Sequence, residues 1–130
     1  MKKIFQNNKP FVLLLAACVL LLASCAKDET ETEIDKYLGD WVCKENPPQT
    51  FHIYITRRGN GDSLDVSNFS NLGNDYTALF IVNGNSVVIP SQDIGSSILY
   101  TISGSGTYSN DKINLTYKVD GENITAVCTQ

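Results

Sequence analysis

Histidine, methionine and tryptophan each occur once in these 130 residues. The lone histidine, His52, lies between Phe51 and Ile53 in an alternating run and has no second imidazole to complete an acid–base dyad or a histidine-rich zinc site. No metal and no cofactor are expected. Neither a G-x-S-x-G, an H-E-x-x-H nor a phosphate-cradling glycine loop is present, so no enzyme is expected either. Asp62 and Asp75, on neighbouring loops, are the carboxylate pair that comes nearest to glycosidase chemistry, and nothing in their spacing asks for it. Basic residues are scarce where a polyanion would need them. Three of the ten, Lys2, Lys3 and Lys9, fall in the first ten positions, and the remainder carries fourteen acids against seven bases, a formal charge of −7. Without a Lys/Arg footprint to displace counterions, no nucleic-acid partner is expected.

A long apolar run is missing too. Phe11 to Leu22 holds twelve apolar residues, short of the roughly 20 that a membrane-crossing helix requires. Behind three lysines it reads instead as a secretion signal. Leu22-Ala23-Ser24-Cys25 resembles the bacterial lipobox, which implies removal of residues 1–24 and lipidation of Cys25. Several acyl chains on that cysteine would anchor the protein to a membrane. Residues 26–36 are acidic and almost free of apolar side chains, the composition of a solvated tether. Lys27 followed by Asp28 and Glu29 is similar to the export signal of surface lipoproteins in some Gram-negative lineages. The resemblance implies a lipid-anchored position at the outer membrane, on the cell surface, with the periplasmic face as the alternative.

Residues 37–130 are the folded domain. Val, Ile and Thr supply 24 of these 94 residues, and alanine occurs only twice. Stiff β-branched side chains suit a pleated surface, and helix formers are few. Eight strands are predicted: Gly39–Lys44, Phe51–Arg57, Leu64–Asn68, Tyr76–Val82, Asn85–Pro90, Ser97–Tyr108, Ile113–Val119 and Asn123–Thr129. Asn83-Gly84 and Asp120-Gly121 mark tight hairpins, with a type I′ turn expected at the first. A polar loop is expected from Ser91 to Gly95. No connection has room for a crossover helix, so neighbours should be antiparallel, giving an all-β meander barrel or, alternatively, an open β-sandwich.

Cys43 and Cys128 are the only thiols of the folded domain, in an oxidising compartment. Parity places Cys43 beside Trp41 on the inner face of the first strand and Cys128 beside Ala126 on that of the last. A disulfide between them requires first and last strands to be neighbours, which is what closes a barrel; two buried free thiols are the alternative. The same parity puts Trp41, Phe51, Ile53, Ile55, Tyr76, Phe80, Ile98, Tyr100, Ile102, Ile113, Leu115 and Tyr117 inside. With so many bulky groups, a filled barrel is expected rather than a hollow one.

Tyr37-Leu38-Gly39-Asp40-Trp41 resembles the Y-x-G-x-W signature that opens lipocalins. Ile89-Pro90-Ser91-Gln92 and Gly104-Ser105-Gly106-Thr107 are similar to motifs of small bacterial lipoproteins described as lipocalin-like. The resemblance implies an eight-stranded barrel with Gly39 and Trp41 at its plugged end. The chain departs from lipocalins in being shorter, in having no arginine in its last strand and in having no helix after it.

Two smaller motifs complete the reading. Residues 59–65 gather oxygen ligands but form one imperfect copy of a calcium repeat, and a solvated turn is expected. Asp62-Ser63-Leu64 resembles an acceptor for O-glycosylation, which would modify Ser63. The functional expectation is a membrane-anchored, non-catalytic binding module, in which loops or exposed Tyr54 and Tyr108 meet a glycan, a host protein or a small apolar molecule. The alternative is a structural envelope component that works through partner proteins and binds no soluble ligand.

Overall fold

The computed structural model describes residues 33–130. The signal, Cys25 and most of the acidic segment therefore lie outside the described residues. Eight strands follow in order: β1 (Gly39–Asn46), β2 (Gln49–Arg58), β3 (Ser63–Ser67), β4 (Ala78–Asn83), β5 (Ser86–Ile94), β6 (Tyr100–Ser109), β7 (Lys112–Val119) and β8 (Glu122–Thr129). Each is antiparallel to the next, and β1 also pairs with β8, so the sheet is a closed meander barrel and not an open sandwich. Closure leaves no edge strand with unpaired backbone groups.

The period-two pattern decides what goes inside. In β2 the buried positions are Phe51, Ile53 and Ile55, alternating with exposed His52, Tyr54 and Thr56. Leu64, Val66, Phe80, Ile102 and Ile113 are also at or near zero exposure. Trp41 and Cys43 face inward from β1, and Cys43 stands opposite Cys128 on the closing seam. Their sulfurs are bonded at 2.00 Å across a separation of 85 residues.

Gly104 and Gly106 occupy inward positions of β6 because their neighbours need the space. A Cβ at Gly104 would lie 2.5 Å from the Tyr117 Cβ, and one at Gly106 2.5 Å from Leu115 Cδ2. The two glycines thus let larger side chains of β7 fill the interior from the opposite direction.

Four local expectations are corrected. First, β5 runs on through the expected loop to Ile94, with a register shift between Ile89 and Gln92. The side chain of Gln92 makes this workable: its amide accepts from Leu79 N at 2.8 Å and donates to Leu79 O at 3.0 Å, serving backbone groups where β4 and β5 no longer pair. Second, β6 begins at Tyr100, not Ser97, so the parity that placed Ile98 inside has no strand to act on. Ile98 is 61% exposed. Third, Tyr76 precedes β4 and Tyr100 opens β6; both are half-buried, their rings 5.4 Å apart at the barrel rim. Fourth, the β4–β5 hairpin closes on Asn83 opposite Ser86, so its central residues are Gly84 and Asn85. Positive φ occurs only at Gly84, the pattern of a type II′ turn. The β7–β8 hairpin, in contrast, has positive φ at both Asp120 and Gly121, as a type I′ turn requires.

A meander with eight strands has two ends. The lower end carries the start of β1, the β2–β3, β4–β5 and β6–β7 turns and the C-terminus; the upper end carries the other four connections. Asp62 and Asp75 sit at opposite ends of β3 and cannot act as a pair.

Candidate functional site

The lower end is closed by the chain that enters it. Backbone bonds from Tyr37 to Ile34 (3.0 Å) and from Leu38 to Asp35 (3.2 Å) form a helical turn, and Asp35 pairs with Arg57 of β2 at 2.9 Å. Gly39, at φ 114°, then swings the backbone into β1. Trp41 is fully buried, its indole N–H donating to the Tyr37 carbonyl at 2.8 Å. A buried indole that has its one donor satisfied is a stable plug. Tyr37 is 1% exposed, and its hydroxyl donates to the Gly84 carbonyl at 2.8 Å, tying the entry turn to the β4–β5 hairpin.

Tyr108 belongs to this end and is half-buried, not an exposed contact residue. Its ring meets Tyr37 edge-on at 5.4 Å and Trp41 at 6.4 Å, with the Lys36 ammonium 5.0 Å above it. The phenol pKa is raised, first by desolvation and then by Asp111, whose carboxylate accepts its hydrogen bond at 3.1 Å.

The upper end is closed differently. The connection between β3 and β4 folds inward through a 3-10 turn at Phe69–Asn71, burying Phe69 and Ser70. The Phe69 ring lies 4.7 Å from Tyr117 and 5.8 Å from Phe80. Beside it is Glu45, 8% exposed, which parity along β1 carries inward two places beyond Cys43. Glu45 accepts hydrogen bonds from the Tyr117 hydroxyl, from Ser70 Oγ at 2.9 Å and from the Gln49 amide. Gln49 also reaches the Ser70 carbonyl at 3.4 Å and accepts from Asn71 Nδ2 at 3.3 Å.

The outer face has its own candidates. Tyr54 is 55% exposed and stands across the ladder from Asp40 and Ser67; Asp40 pairs with His52 at 3.0 Å. Ile98 and Leu99, 61% and 57% exposed, project from the β5–β6 connection at the upper end. Ser63 opens β3 in a half-buried position on its outer side, whereas Leu64 beside it is wholly in the core.

Strand parity thus placed Trp41, Cys43, Cys128 and Tyr117 inside, where they are buried, and missed Glu45, Phe69 and Ser70. Parity alone would have found Glu45, since it shares the face of Trp41 and Cys43. No signal marked Phe69, which lies between the predicted strands Leu64–Asn68 and Tyr76–Val82. Among the described residues, no group of three His, Cys, Asp or Glu side chains converges as a metal site. Compared with known proteins, the chain matches no family model, no curated protein and no solved structure.

Proposed function

We propose that this protein is a lipid-anchored, non-catalytic binding module of the outer membrane, displayed at the cell surface on a lipocalin-like barrel. Support for the anchor comes from the lipobox resemblance at Cys25, and support for display from the similarity of Lys27-Asp28-Glu29 to the export signal of surface lipoproteins. With lipid on Cys25, residues 26–33 span at most about 29 Å before the entry turn at the lower end. The lower end is then the tethered end of the barrel, and the upper end is the one opposite the tether. The observation that carries a binding role is the exposure of Ile98 and Leu99 on that far end, since adjacent apolar side chains left in water at a loop tip are a common mark of a contact surface. Tyr54 offers a second, aromatic platform for a sugar ring or peptide on the side of the barrel.

The test is made in a Gram-negative host. A clickable fatty acid should label the wild type and not Cys25→Ser, and protease added to intact cells should digest the labelled protein. Absence of label would overturn the anchor; label on a protein that resists protease until the outer membrane is opened would move it to the periplasmic face.

A further inference from the structure

Glu45 is the only charged residue among the described residues that is buried. All three of its donors are neutral, and the ion pairs among those residues, His52–Asp40, Arg57–Asp35 and Arg58–Asp65, leave it out. A carboxylate withdrawn from water without a cation forgoes the Coulomb attraction that ordinarily offsets its desolvation.

What covers Glu45 is a connection, not a strand. The 68–72 segment places Asn68, Ser70 and Asn71 at φ 55°, 53° and 58°, a left-handed conformation that only asparagine among these two residue types tolerates well. Its bonds to the barrel are side-chain contacts: Ser70 to Glu45, Gln49 to Ser70, Asn71 to Gln49, and Asn68 Nδ2 to the His52 carbonyl at 2.7 Å. The backbone bond of Phe69 itself, N–H to Tyr76 O at 3.2 Å, lies beyond the last β3–β4 pair, Val66 opposite Ala78, so the ring can leave the aromatic cluster without breaking the ladder of any strand.

We propose that residues 68–72 are a displaceable plug and that the barrel mouth beneath it takes an apolar aromatic amine. The ring would occupy the place of Phe69 between Phe80 and Tyr117, and the ammonium would replace the Ser70 hydroxyl on Glu45, supplying the missing counter-charge. This deepens the non-catalytic binding reading by naming a ligand class, and it stands whether or not Cys25 carries lipid.

The experiment titrates full-length protein in phosphatidylcholine nanodiscs with 2-phenylethylamine and with its neutral analogue 2-phenylethanol, empty nanodiscs serving as blanks. Phe69→Ala, with the ring's place vacated, should bind the amine at least tenfold tighter than wild type does and at least tenfold tighter than it binds the alcohol. Adding Glu45→Gln should remove the preference for the amine while leaving alcohol affinity within twofold. Wild type should bind the amine more weakly, and hydrogen exchange at residues 68–72 should quicken when it does. Equal affinity of Phe69→Ala for the two compounds, or no binding of either by folded protein, overturns the proposal. If Phe69→Ala does not fold, the wild-type exchange measurement decides, and exchange at 68–72 that is unchanged at saturating amine refutes the plug. The fatty-acid label at Cys25 reports on the anchor alone, so the two readings fail separately.

Discussion

The two ends of this barrel are closed by opposite means. At the lower end the closing residues, Tyr37 and Trp41, lead straight into β1, and their polar atoms are spent on backbone: indole N–H to Tyr37 O, phenol to Gly84 O, and Gln130 Nε2 to Leu38 O at 2.8 Å. Backbone partners cannot leave without unfolding. At the upper end, Phe69 comes from a connection whose own backbone bond, Phe69 N to Tyr76 O at 3.2 Å, stays within it, and whose bonds to the strands each use a side chain of the connection or of Gln49. Side-chain partners can be exchanged. The lower end is thus built as a wall and the upper end as a cover, and that difference locates the end at which binding can be expected.

The comparison breaks most severely where both ends depend on one bond. Closing an 85-residue separation, the Cys43–Cys128 disulfide should contribute roughly 4 to 5 kcal/mol in the chain-entropy view. Cys43→Ala with Cys128→Ala should lower stability by about that amount in urea titration, with β1–β8 amides losing protection first. Next in size is the lower plug. Trp41→Ala removes the largest wholly buried side chain and should cost about 3 to 5 kcal/mol.

Phe69→Ala should cost less than Trp41→Ala, nearer about 2 to 3 kcal/mol, because a connection can settle into part of the space it vacates whereas a strand cannot. A larger loss at Phe69 than at Trp41 would contradict the reading of wall and cover. Glu45 sharpens the contrast further. Glu45→Ala removes the acceptor shared by the Tyr117 and Ser70 hydroxyls, leaving them only their mutual bond at 3.2 Å, and should destabilise by about 1 to 3 kcal/mol, whereas Glu45→Gln keeps an acceptor and removes the uncompensated charge. Glu45→Gln should therefore match wild-type stability within about 1 kcal/mol or exceed it. A large loss on Glu45→Gln would show that the charge itself holds the cover down.

What the sequence made legible follows the same division. The lower end and the barrel wall were readable because strands enforce period two: Trp41, Cys43, Phe51, Ile53 and Ile55 alternate inward without exception. The disulfide and the closure it implies came from that parity. The upper end was less readable because its geometry is set by bulges and connections, where no period operates. Ile98 was misplaced for this reason, as a strand pattern was extended over residues that form none. The bulge after Ile89 hid the continuation of β5, because the Gln92 side chain takes over bonds that a pattern assigns to backbone. Glu45 escaped for a chemical reason: an acid near the end of a strand is ordinarily assigned to water, and here alternation overrides polarity.

The smallest expected effect tests the lower end by titration. Tyr108 is packed against Tyr37 and Trp41, which disfavours its phenolate, and the carboxylate of Asp111 beside it both accepts its hydrogen bond and repels the anion. Its folded pKa therefore lies above the ordinary value of about 10. A raised pKa means that the folded chain holds this proton more tightly than the unfolded chain does. The associated stability is fully present below the unfolded value and is lost as pH rises through the folded one. Absorbance of the phenolate, read as wild type minus Tyr108→Phe, should show this residue ionising later than a free tyrosine. Asp111→Asn should bring it partway back, because it removes the repulsion and the acceptor but not the desolvation that is the larger cause. Full return to the ordinary value in Asp111→Asn would mean that Tyr108 is not desolvated by the plug, and the lower end would then be less of a wall than its packing indicates.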